Sequence, residues 1–161
     1  MTTSGSRSMR ELLRSAYRVT GPLDASINLA LNASIAWFFL RSSGPVPVFG
    51  LPSVYGFLGP MVACVLCCTI VSGYRNGTHW SRPSQTCWKH WLPRGLGWGI
   101  AGAMLGSGCC LMMVKFVDWA GAGASWMVWQ VILADGIAAA LLGYVGQVMG
   151  VWVAVCRSSS R

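Results

Sequence analysis

Long apolar runs alternate along this chain with short polar stretches rich in basic residues, and four of the runs are long enough to be membrane helices. They cover about residues 21–40, 52–73, 92–114 and 126–155. Each reaches the roughly 20 residues that a helix rising about 1.5 Å per residue needs to cross about 30 Å of hydrocarbon. The fourth is the longest and is expected to tilt or to emerge from the bilayer. Residues 6–20 follow a different pattern. Arg7, Arg10, Arg14 and Arg18 share one side of a helix, and Met9, Leu12, Leu13, Ala16 and Val19 share the other. That pattern predicts an amphipathic helix lying in the membrane plane with its arginines toward anionic headgroups; the alternative is a disordered basic tail. The expected fold class is an all-α membrane protein, a four-transmembrane-helix bundle with an N-terminal amphipathic in-plane helix. Its expected parts are a basic segment over 1–20, a transmembrane domain over 21–157 and a tail over 158–161.

Composition agrees with a lipid solvent. Hydrophobic residues make up 54% of the chain and charged residues 10%, against about 25% charged in soluble domains. The net charge of +8 would point to nucleic acid in a soluble protein. Here the basic residues stand at the ends of apolar runs, so membrane topology accounts for them and no nucleic-acid partner is expected. Four lie before the first run. Arg75, Arg82, Lys89 and Arg94 lie between the second and third, and Arg157 and Arg161 follow the fourth. Only Arg41 and Lys115 fall in the other two connections, which predicts both termini on the cytoplasmic side. The first 20 residues hold no apolar core of about 7–15 residues, so the first span is expected to act as the insertion signal. Cys64, Cys67, Cys68, Cys109 and Cys110 lie inside apolar runs, and Cys87 and Cys156 lie on the predicted inner side. No pair stands on an oxidising face, so the cysteines read as small packing residues.

Close packing in lipid relies on small side chains. Gly95, Gly99, Gly102 and Gly106 share one stripe of the third span, and Ala139, Gly143, Gly146 and Gly150 share one stripe of the fourth. The expectation is that these stripes meet in a tight hairpin of spans three and four. The alternative places one of them at a subunit interface.

Polar groups inside the runs are the candidates for chemistry. Asp24, Asn28 and Asn32 recur every fourth residue and share one arc of the first span. They must find partners, because unpaired polar groups in hydrocarbon cost several kcal/mol each. Two readings stay open: interhelical hydrogen bonds, or a polar track for an ion or small solute. Asp135 lies in the outer half of the fourth span on the face of its small residues, and an intramembrane carboxylate is a functional-site candidate. Its expected cationic partners are Lys115 and Arg41. Other chemistries have weaker support. His79, Cys87 and His90 lack a fourth zinc ligand, haem needs an axial ligand inside the membrane where no histidine lies, and a hydrolase needs a base that the spans do not supply. No cofactor, no metal and no enzymatic activity are expected.

The segment Asn28-Leu-Ala-Leu-Asn32-Ala-Ser-Ile-Ala-Trp37, with Arg41 and then Val46-Pro47-Val-Phe-Gly50-Leu-Pro-Ser53, resembles a group of small, functionally uncharacterised four-helix bacterial inner-membrane proteins of permease-like type. The resemblance covers about a fifth of the chain. It implies a bacterial inner membrane and brings no activity with it. The expected function is an oligomeric transporter or channel for an ion or small solute. The alternative is a non-catalytic accessory or scaffold protein that holds a partner membrane protein and binds anionic lipid.

Overall fold

The computed structural model describes residues 9–42, 46–47, 52–81, 87–119 and 125–159. Helix α1 (Met9–Ser15) runs through a π-helical turn (Ala16–Thr20) into α2 (Gly21–Leu40). Strand β1 (Val46–Pro47), α3 (Pro52–Ser81), α4 (Trp88–Trp119), β2 (Ser125–Trp126) and α5 (Val128–Ser159) follow. The two short strands pair antiparallel, Val46 with Trp126 and Pro47 with Ser125. They tie together the two connections predicted to lie outside.

Among the described residues, three helical stretches are long and apolar enough to cross a membrane: Arg10–Leu40, Trp88–Met113 and Val128–Cys156. The chain is therefore a helical membrane protein. Helices α3, α4 and α5 all extend past the predicted spans, so Trp80, Trp88 and Trp91 lie on helices. A helix has no reason to stop where hydrocarbon ends, because its backbone hydrogen bonds are internal at any depth. Ser26 and Ser34 use the same economy: each hydroxyl donates to the carbonyl one turn back, Pro22 O at 2.9 Å and Ala30 O at 2.7 Å.

The helices stand in the order α2, α5, α3, α4, each packed on the next, while α4 barely touches α5. The expected hairpin of spans three and four is therefore corrected. The glycine stripe of α4 meets α3: Gly95 lies against Tyr74, Gly99 against Cys67 and Val71, Gly102 against Ile70, and Gly106 against Leu66. The stripe of α5 meets two partners, Gly143 facing Asn28 of α2, and Gly146 and Gly150 facing α3. Small residues permit close approach without choosing the neighbour, and α3 carries glycines of its own. Helices α3 and α5 run parallel and in step, Thr69 against Gly146, Gly73 against Gly150 and Gly77 against Ala154. At Gly73 an added Cβ would strike the Gln147 carbonyl, and at Gly150 it would strike the Ile70 carbonyl and come within 2.7 Å of Tyr74 N. These two backbones touch where no side chain fits.

The N-terminal segment also departs from expectation. Its apolar side faces protein: Leu12 and Ala16 form a buried cluster with Val151 and Val155 of α5. The α1 segment thus runs on into α2 and packs Leu12 and Ala16 against α5 while Val19 stays exposed, so it is an extension of the first span and not a separate in-plane helix. The π turn makes this possible. In an uninterrupted α-helix a row of residues four apart drifts about 40° per step, since four residues exceed one turn of 3.6. The extra residue of a π turn resets that drift, so Leu12 below the turn and Ala16 at its start face the same helix as Asn28 above it. Gly21 N donates to Ala16 O across the turn.

Candidate functional site

The polar residues of the first span face α5. A Cβ at Gly143 would lie 2.6 Å from Asn28 Nδ2, and one at Gly136 would lie 3.3 Å from Ala33 Cβ. These contacts set an antiparallel register of α2 on α5, with Asn32 at the level of Ala139 and Asp135 about one turn further on. Asn32 is 4% exposed. Both amides donate within their own helix, Asn28 Nδ2 to Asp24 O at 2.7 Å and Asn32 Nδ2 to Asn28 O at 2.8 Å. The expected interhelical bonds are not made by these donors. Instead the amides line the helix as a ladder, leaving α5 to pack on them.

Asp135 is 5% exposed, and neither of its carboxylate oxygens accepts a hydrogen bond. The predicted cationic partners do not reach it. The Arg41 guanidinium lies over the rings of Trp37 and Phe38, 5.1 and 5.4 Å from their centroids. An aromatic face holds a cation there without a counter-ion. Lys115 is exposed on α4, the helix that barely meets α5.

Two polar residues join the site that the sequence pattern did not single out. Gln147 is 0% exposed, and both its amide oxygen and its amide nitrogen lack partners. Thr20 Oγ1 is buried without a partner, as is Asp24 Oδ2. A signal for Gln147 existed, since it is the one amide in α5 between Asp135 and Arg157. It stands off the small-residue stripe, so a reading by stripe passes over it. From α3, Thr69 contributes a hydroxyl against Gly146, already satisfied by Val65 O at 2.8 Å. A polar seam thus runs between α2 and α5, with Asp135 toward one end and Gln147 with Asp24 toward the other.

Two of the cysteines take the expected packing role, while Cys64, Cys68, Cys87 and Cys109 are exposed. Cys67 and Cys110 border the apolar cluster of Val62, Leu66, Ile70 and Ala103 between α3 and α4. Among the described residues no three or more His, Cys, Asp or Glu side chains gather into a metal-binding group, so His79, Cys87 and His90 do not converge.

Fold and seam together define a helical membrane protein with buried, unpartnered polar groups. No family model matches the chain, nor does any curated protein or any solved structure.

Proposed function

We propose that this chain is a four-span protein of the bacterial inner membrane, with both termini cytoplasmic, that assembles as an oligomer to pass an ion or small polar solute. The observation that carries the reading is Asp135. A carboxylate buried among apolar helices with no partner on either oxygen costs several kcal/mol while it is ionised, a cost relieved by a proton or by a group from outside the chain. Helix α3 belongs among the spans on topological grounds. It runs parallel to and in step with α5, and α2 and α4 point the same way, so the chain must cross back between them. The backbone contact of Gly73 with Gly150 closes the space between α3 and α5. A route along the α2–α5 seam therefore needs a second subunit to enclose it. Arg10, Arg14 and Arg18 stay exposed, where anionic headgroups of the inner leaflet can reach them.

The test is Asp135→Asn in proteoliposomes. Flux is expected to fall to the level of protein-free vesicles while the oligomer seen by native mass spectrometry persists; flux equal to the parent's would overturn the reading.

One observation favours the accessory reading. On the face of α4 away from α3, Gly97 and Gly108 have open space beside them, and Met104, Leu105 and Met112 are largely exposed. A helix of a partner membrane protein could seat there. Substitutions at Gly102 or Gly146 cannot test this, because both face the chain's own α3.

A further inference from the structure

The buried polar groups near the N-terminal end of α2 form the end of the seam away from Asp135. On α5, Gly143, Gln147, Val151 and Val155 make one row at four-residue spacing. Gly143 meets Asn28, while Val151 and Val155 meet Leu12 and Ala16. Gln147 lies between them on the row, which puts it at the level of the intervening residues of the first helix, Thr20 and Asp24. The buried atoms without partners in this stretch are Thr20 Oγ1, Asp24 Oδ2, Gln147 Oε1 and Gln147 Nε2. The π turn ends at Thr20 and is held to α5 by Tyr144, whose hydroxyl donates to Tyr17 O at 3.2 Å. Single π turns inside α-helices recur at functional sites.

We infer that Thr20 Oγ1, Asp24 Oδ2 and Gln147 Oε1 form a site for a monovalent cation of the sodium or potassium class. Oxygen ligands suit hard cations. The single carboxylate matches one positive charge, whereas calcium sites such as the EF-hand draw on several carboxylates. Arg14 and Arg18, the nearest cations on the same helix, are exposed, and among the described residues the packed helices bring no counter-charge to this level. Helix α2 has no Lys or Arg, α5 has none before Arg157, and α3 has none before Arg75. The Arg75 guanidinium lies over the Trp91 ring at 5.7 Å. The inference rests on the transport reading for its purpose, since a cation held here would enter or leave the seam below Asp135. Its chemistry is independent of that reading.

The experiment is thermal unfolding of the purified full-length protein in NaCl, KCl and choline chloride at equal ionic strength. A cation that binds only the folded state raises Tm by about 5 °C near saturation. Sodium or potassium is expected to give that rise and choline none. Gln147→Leu is expected to be more stable than the parent in choline, because it removes an unsatisfied buried amide, and to lose the alkali-cation rise. Thr20→Val is expected to weaken the rise in the same way, and it serves if the Gln147 variant misfolds. Asp135→Asn is expected to keep it. Equal Tm in all three salts would overturn the inference and leave water as the occupant. So would a rise that survives both Gln147→Leu and Thr20→Val. Neither result bears on flux through Asp135, so the two readings fail separately.

Discussion

Single side chains here are defined less by what they are than by what they face. Asn28 and Asn32 satisfy their own donors within α2, which lets a helix with two amides pack against the glycines and alanines of α5. Gln147 and Asp135 cannot do the same. An ionised carboxylate only accepts, so no backbone carbonyl can satisfy Asp135, and neither end of the Gln147 amide has a partner, which leaves both waiting for one from outside. Leu12 shows the opposite case, an apolar side chain of a basic segment that is 4% exposed. Leu12→Ala should lower stability by about 2–3 kcal/mol, measured by denaturant unfolding, and should leave vesicle binding by the arginines intact. A loss of vesicle binding with unchanged stability would restore an in-plane helix.

At the scale of elements, close approach of backbones sets the order α2, α5, α3, α4. Where glycine meets glycine, at Gly73 and Gly150, van der Waals contact between backbones replaces the hydrophobic drive that lipid does not supply. Gly150→Ala should cost about 1–3 kcal/mol, because the new methyl meets main-chain atoms of Ile70 and Tyr74 that cannot rotate away. Gly97→Ala on the open face of α4 should be neutral or gain up to about 1 kcal/mol from helix propensity. Unfolding of the two variants in the same detergent checks the pair, and equal effects would mean that α3 and α5 do not touch at Gly150. The same contrast says where a partner search belongs. Paired substitutions Gly97→Leu and Gly108→Leu probe an open face, whereas bulk at Gly102 or Gly146 would disrupt the fold itself.

For the whole molecule, the two ends differ in character. One end carries Arg41 over its aromatic rings and the paired strands; the other carries the packed basic extension. With four spans, a membrane-impermeant maleimide should label Cys87, which is exposed, only from the cytoplasmic side. A cysteine placed at exposed Ser42 should label only from the opposite side. Labelling of both from one side would remove α3 from the membrane. The lipid-facing thiols Cys64, Cys68 and Cys109 should react slowly in either case, since a membrane-impermeant reagent does not enter the hydrocarbon that covers them.

What the sequence determined by itself is the part governed by local physics. Apolar runs of membrane length, basic residues at their ends, and the shared face of Asp24, Asn28 and Asn32 all follow from one helix meeting one solvent. Asp135 was legible for the same reason, as a charge at a depth where charges are costly. The partner of each helix was not legible. In lipid nearly every helix face is apolar, so a glycine stripe announces that something fits closely and leaves open what does. Only the tertiary structure could decide that Gly150 meets Gly73, that Arg41 turns to Trp37 and Phe38 and away from Asp135, and that a π turn brings Thr20 and Asp24 to the level of Gln147. Those are properties of two surfaces together, and no single stretch of chain contains them.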